Sequence, residues 1–295
     1  MDGTGGGEQP LPRSLAPLLG ASRRDGGEQP ESTRGRLLTL LGEFVLPAGG
    51  SVWTRTLVLA LGSLGVSEHA ARQAIARSED RGWLGRSRHG RRTRWSLTDE
   101  MTSLLSAGAE RIYTFGRIDR PWPGTWLLLW ASVHEADRRT RTRLTTELSW
   151  AGFGTAGSGT WITPWVDRED EVVRLVGELG VEARTFRAEL GELGAPDELA
   201  QQAWDLPVLA ERYRSFLDDT AHEGHTDGLD AVRELAAAVH RWRHFPFLDP
   251  ELPAALLPEQ WPGRAAAERF AAVRGRLLEP ATAWWVTTES GRGAD

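Results

Sequence analysis

The sequence contains no cysteine and no lysine. Without thiols, disulfides and thiolate metal sites are excluded. Without lysine, all 35 basic residues are arginines, so an arginine at any one position says little by itself. Long apolar runs are also missing. Nothing approaches the roughly 18 residues needed to cross a bilayer, and no apolar core near the N-terminus reads as a secretory signal. A cytoplasmic protein with no membrane partner is expected. Acids outnumber bases by 41 to 35, and a net charge of −6 argues against a protein that coats nucleic acid everywhere. What is plentiful is tryptophan: the 14 present should mostly fill cores or interfaces. The 295 residues are enough for two or three domains, each with its own core.

The charge is segregated. Residues 81–95 carry six arginines and no acid, whereas 166–223 hold fifteen acids against six arginines. One basic surface on an acidic body orients a molecule on a polyanion. The chain around that basic run has the pattern of a helix and a hairpin. Ser67 is a good N-cap, with Glu68 in the first turn. Ala71, Ala74, Ile75 and Ser78 recur at helical spacing, and Gly82 ends the helix. Its free face carries His69, Arg72, Gln73, Ala76 and Arg77. Trp83-Leu84 and Trp95-Ser96-Leu97 then flank the arginine-rich run, with His89-Gly90 at its centre, which reads as a β-hairpin. A polar-faced helix followed by a basic hairpin is what a winged helix-turn-helix offers to double-stranded DNA.

The rest of the chain falls around this stretch. Residues 1–33 are rich in Gly, Pro, Ser and charge and read as a disordered tail. A DNA-binding domain is expected over 34–115. It has a helix at 34–46, a short strand at 51–53, a helix at 54–64 closed by Gly65, the helix and hairpin above, and a helix from 98 to 113. Residues 116–124, with two prolines, make a semi-rigid linker. Over 125–192 the expected order is β-α-β-β-α-β, that of a ferredoxin-like sandwich. From 193 to 287 the pattern is helical, broken by Pro246, Pro250, Pro253, Pro258 and Pro262, and 288–295 reads as a second tail. The fold class is therefore α+β and multidomain: winged helix-turn-helix, ferredoxin-like middle, helical end.

The stretch LLTLLGEFVLPAGGSVWTRTLVLALGSLGVSEHAARQAIARSEDRGWL resembles the opening domain of the PaaX family of bacterial transcriptional regulators. WLLLWASV and LSWAGFGTAGSGTWITP look like that family's central domain, which is similar in fold to Cas2, and FPFLDPELPAALLPEQWPGRAAAERF resembles its C-terminal helical domain. The resemblance covers roughly 34–285 in the expected order. It implies a homodimeric regulator, usually a repressor, on a palindromic operator. The best-known members control aromatic degradation and leave DNA on binding an aryl-CoA thioester; other members need not share that effector. No cofactor is implied beyond such an acyl-CoA or aryl-CoA effector.

Candidate sites follow from the residues. Near the N-terminus of a recognition helix, Ser67, His69, Arg72, Gln73 and Arg77 are placed to reach DNA, with Gln suited to adenine and Arg to guanine. Arg86, Arg88, His89, Arg91, Arg92 and Arg94 would serve the wing, mostly at phosphates. The competing reading of the helix set is a solvated face, and a solvated face is the preferred reading for Arg138, Arg139, Arg141 and Arg143. Arg241, Trp242, Arg243 and His244 combine cations and aromatics that suit an effector's adenine and phosphates. Their competing reading is a helix C-terminus that favours cations, with aromatics filling a core. Gly154 to Gly159 reads as a hairpin turn, since it lacks the P-loop lysine and a strand follows it. His222/His225 and His240/His244 do not form HExxH, and no metal is expected. No nucleophile signature is present, so no catalytic residue is assigned. A Cas2-like nuclease needs a carboxylate after the first central strand, where Ser132-Val133-His134 stand with Glu135 beyond. The rival readings are a CoA-thioester or nucleic-acid-processing enzyme on that fold, and a scaffold whose winged helix binds protein.

Overall fold

The computed structural model describes residues 32–116, 120–134, 137–157, 159–222 and 224–291. Most of the tail expected over 1–33, and residues 117–119 of the expected linker, lie outside them.

α1 (Thr33–Leu40) is capped by Ser32, whose hydroxyl accepts from the Gly35 N–H at 3.1 Å. It passes directly into a π turn, Leu41–Val45, in which the Leu46 N–H reaches the Leu41 carbonyl at 2.8 Å. Apolar periodicity predicts one helix to residue 46; it does not see this wider last turn. β1 (Ser51–Trp53) leads into α2 (Thr54–Ser63), and Gly65, at φ +82°, makes the left-handed turn out of it. α3 (Glu68–Asp80) begins at Ser67, whose side chain accepts from the Ala70 N–H. β2 (Leu84–His89) and β3 (Arg92–Leu97) form an antiparallel hairpin, and β1 adds to the far edge of β3. The last hairpin pair is His89 with Arg92, which leaves Gly90-Arg91 as a two-residue loop, Gly90 at φ +62°. α4 (Asp99–Thr114) starts at Thr98, which caps the Met101 N–H.

The middle of the chain is β4 (Thr125–Ser132), α5 (Arg138–Trp150), β5 (Gly154–Gly157), β6 (Thr160–Thr163), α6 (Glu169–Leu179) and β7 (Glu182–Glu189). The four strands are antiparallel in the order β5-β6-β4-β7. Alternation along β4 splits its residues between two cores. Leu127, Leu129 and Ala131 pack with Leu144, Leu148, Val172 and Leu175 from the two helices. Trp126, on the opposite face, joins Trp204, Leu206, Leu252 and Leu256. Gly154 is where these layers touch: a Cβ there would stand 2.6 Å from the Trp204 ring and 2.7 Å from the Ala203 carbonyl.

Helices follow: α7 (Pro196–Ala203), α8 (Leu206–Asp219), α9 (Gly228–Trp242), the single turn α10 (Phe245–Leu248) and α11 (Gly263–Glu289). α11 runs two residues past the boundary expected at 287. The structure departs from the expected arrangement of separate cores. Leu37, Leu41, Phe44, Leu57, Leu61 and Ile75 belong to the same buried cluster as Leu235, Val239, Trp242, Phe270, Leu277 and Trp285. Phe44, in the π turn, stacks on Trp285 with ring centroids 4.8 Å apart. The first unit is thus built onto α9 and α11 rather than standing alone.

Candidate nucleic-acid interface

α3 turns Ala71, Ala74, Ile75 and Ser78 inward, and the one-turn offset leaves Ser67, His69, Arg72, Gln73 and Arg77 exposed together. The Gln73 amide nitrogen and His69 Nε2 are 2.9 Å apart. An amide nitrogen only donates, so this bond needs a neutral ring accepting at Nε2. Arg72 is held by Glu68 one turn earlier, at 2.7 Å. Both side chains are well exposed, and such a pair is exchanged for a phosphate at little cost. Ser67 is occupied as the cap.

The hairpin stands beside α3. Arg88, Arg91 and Arg92 are exposed along it. Arg86 pairs with Glu79 of α3 at 3.2 Å, which ties the hairpin to the helix. His89 sits edge-on to Trp53, 5.5 Å between centroids. Arg94 differs from the expectation. Its guanidinium lies over Trp53, donates to Ser51 Oγ at 2.9 Å and approaches Glu289 of α11 at 3.9 Å. Its position on β3 turns it toward the body, where it fastens the hairpin.

The four residues expected to meet an effector do not share one surface. Arg241 is partly exposed and paired with Asp219. Trp242 is 1% exposed; its indole N–H donates to the Ile112 carbonyl at 3.0 Å and its ring stacks on Phe270. It is a core residue. Arg243 is also buried, and His244 sits edge-on to His240. Successive residues on a helix diverge by about 100°, which scatters the run over different surroundings.

Several residues of consequence carry no local signal in the sequence. A cavity of about 50 Å³ lies between α1 with its π turn, α4 and α9, lined by Leu38, Glu43, Met101, Leu105, Tyr113 and Arg243 among others. Three distant segments build it. The sequence hints are Gly42 in the π turn and Gly108 inside α4, two glycines within helical segments that line it. Glu43 is buried and accepts from the Tyr113 hydroxyl and from Arg274 Nε at 3.1 Å. Burial pushes its carboxyl up, against the pull of Tyr113 and Arg274. Beside the cavity, His240 Nδ1 lies 3.0 Å from the Thr39 hydroxyl. Burial, with the Arg243 charge adding to it, pushes this imidazole down to about 2.

Elsewhere, Arg138, Arg139, Arg141 and Arg143 lie on the exposed side of α5, with Arg143 paired to Glu147. Among the described residues no three His, Asp or Glu side chains gather as metal ligands. No helix among them is long and apolar enough to cross a membrane. Glu135, Ser158 and Glu223 lie outside the described residues.

Comparison with known proteins bears on the whole arrangement. Three family models match in sequence: the PaaX-like protein over residues 32–101, the PaaX protein central Cas2-like domain over 119–200 and the PaaX-like protein C-terminal domain over 204–287. The transcriptional repressor PaaX of Escherichia coli K12 is 28% identical over 271 residues, covering 86% of this chain and 83% of that protein. A solved structure, an uncharacterized protein from Mycobacterium tuberculosis, superposes with a TM-score of 0.60 at 27% identity, covering 86% of this chain and 98% of the other. With the α+β architecture, its two antiparallel sheets and its Cas2-like middle in the same order, the chain belongs to the PaaX family.

Proposed function

We propose that this chain is a DNA-binding transcriptional regulator. In this reading α2, the turn at 64–67 and α3 form a helix-turn-helix, and β2–β3 is its wing. The observation that carries it is the exposed His69, Gln73 and Arg77 face of α3, standing beside Arg88, Arg91 and Arg92 on the hairpin. The similar E. coli protein is a transcriptional repressor, and repression by occupying a palindromic operator is the matching mode. A palindrome calls for a homodimer whose two α3 helices lie about 34 Å apart. A small-molecule effector, for which the family suggests an aryl-CoA thioester, then acts by binding one dimer geometry better than the other. The helical segment, which shares its core with the DNA-reading unit, is suited to pass that preference on.

The test is a mobility-shift titration on DNA upstream of the protein's own gene, repeated across salt concentrations. A dimer neutralising roughly 6–8 phosphates gives a log–log slope of about −5 to −7. A slope near zero, or no retarded band at low salt, rejects the reading.

A further inference from the structure

Three arginines from distant parts of the chain gather at the start of α1. Arg34 lies in its first turn, Arg81 follows α3 and Arg243 follows α9. The guanidiniums of Arg34 and Arg81 both lie over the Trp83 ring, 4.8 Å and 5.3 Å from its centroid. Arg243 reaches the same helix start: a Cβ on Gly35 would stand 3.0 Å from an Arg243 Nη and 3.3 Å from Oγ of the cap, Ser32. Among the described residues none of the three guanidiniums makes an ion pair or a hydrogen bond. The Nε atoms of Arg34 and Arg243 are sealed from solvent with no partner, and Arg243 is only 3% exposed. The cations also act on one another. Burial, then the Arg34 charge, pushes Arg243 down to about 10; burial, then the Arg81 charge, lowers Arg34. A buried charge with no counterion is costly to hold. Water can fill an empty donor, but it cannot cancel repulsion between guanidiniums. The cluster lacks an anion, and no acid of the described chain supplies one.

We propose that this cluster binds a phosphate group, as the free ion or as the end of a small monoester, seated at the start of α1 among Arg34, Arg81 and Arg243. No enclosed cavity is required. Ser32 and Arg81 are exposed and Thr33 and Arg34 half-buried, so the group enters from solvent and Arg243 forms the floor beneath it. Charge selects the class: more than one cation is left over, and a phosphate dianion answers two. Shape selects it further. The three arginines come from three elements and converge from different directions, which suits the spread acceptors of a tetrahedral group better than a planar carboxylate taking one fork. Trp83 holds two of the guanidiniums ready, so little side-chain freedom is lost on binding. The first N–H groups of α1 have no partner within the helix and face the same end, where the helix dipole favours an anion. One bound group thus joins α1, the turn after α3 and the turn after α9. It fixes the end of α3 against the helical segment, and on the regulator reading this biases the reading face. That last step rests on the regulator reading; binding itself does not.

Calorimetry and thermal unfolding of the full chain test the site with inorganic phosphate, glycerol 3-phosphate, acetate, and sodium chloride at matched ionic strength. Phosphate should bind saturably and raise the melting temperature, and chloride should do neither. Arg34→Gln, a change at a half-buried side chain, should keep the fold and weaken phosphate binding by about tenfold or more. Arg243→Met should melt no lower than the wild type without phosphate, because the charge has no protein partner to lose, and phosphate should no longer raise its melting temperature. The site is overturned if phosphate does no more than chloride, or if either folded variant binds phosphate as tightly as the wild type; should Arg243→Met unfold, Arg34→Gln decides alone. Acetate binding as tightly as phosphate overturns the ligand class. Glycerol 3-phosphate binding at least as tightly as phosphate assigns the site to a monoester, and weaker binding assigns it to the free ion. A DNA salt slope reduced by about 1 in Arg34→Gln gives the site to the DNA backbone and overturns the small-anion reading. Mobility shifts with and without phosphate at constant ionic strength report separately: unchanged DNA affinity removes the regulatory step, and no DNA binding at all rejects the regulator reading while calorimetry still decides the site.

Discussion

His69 and Gln73 share a hydrogen bond across one turn of α3, so the amide that the proposed reading assigns to a base is held in place by a neighbour. Gln73→Ala should lower affinity for the specific site by about 1–3 kcal/mol and leave the salt slope unchanged. Arg91→Ala should do the reverse, weakening all sequences alike and reducing the slope by about 1 for each phosphate no longer neutralised. Mobility shifts on specific and scrambled DNA separate the two. The buried His240 makes a prediction of another kind. Its folded-state value, about 2, lies below the ~6.5 of an unfolded chain. Unfolding below pH 6.5 thus takes up a proton, and the stability that rests on the neutral ring is complete above that pH and lost as pH falls toward 2. Between pH 7 and 5, His240→Gln should lose about 2 kcal/mol less than the wild type in urea unfolding.

At the scale of elements, the far end of α11 completes the start of α2. Trp53 gives that helix no side-chain cap. Glu289 supplies one from more than two hundred residues away, accepting from the Trp53 N–H at 3.1 Å and from the Thr56 hydroxyl. It places a carboxylate at the positive end of a helix. Glu289→Ala should destabilise the protein by about 1–3 kcal/mol in urea unfolding, and should weaken DNA binding because Arg94 then loses its nearest acid. In the central sheet, Gly154→Ala forces a methyl group against backbone and a tryptophan, neither of which yields easily; a loss of about 1–3 kcal/mol is expected. α3, the hairpin and the order of the central strands were legible in the sequence because each depends on neighbours within about a dozen residues: a cap, a period, a turn glycine. The Glu289 cap was not. A glutamate at a frayed-looking end carries no mark of the distant helix it reaches. Arg243 was singled out with the wrong company, because adjacency along the chain says nothing about which of three helices a side chain faces.

For the whole molecule, the shared core matters most. Leucines on α1 and α2 announce a buried face, and leucines and tryptophans on α9 and α11 announce another. No local pattern says that these faces bury each other. A fragment spanning 32–116 should therefore fail to fold on its own: circular dichroism and proton dispersion should show a partly helical, poorly packed chain, and addition of a fragment spanning 196–291 should restore order. Cooperative, coincident loss of DNA binding and of tryptophan fluorescence in urea is expected of the intact protein.

The stacking of Phe44 on Trp285 has a consequence in time. The two rings are made some 240 residues apart, and synthesis at roughly 5–20 residues per second separates them by about 10–50 s. Through that interval the nascent chain holds α1, α2 and α3 with an uncovered apolar side. On the proposed reading the chain cannot compete for DNA while still on the ribosome; its interface is complete only when α11 closes over α1 and its π turn.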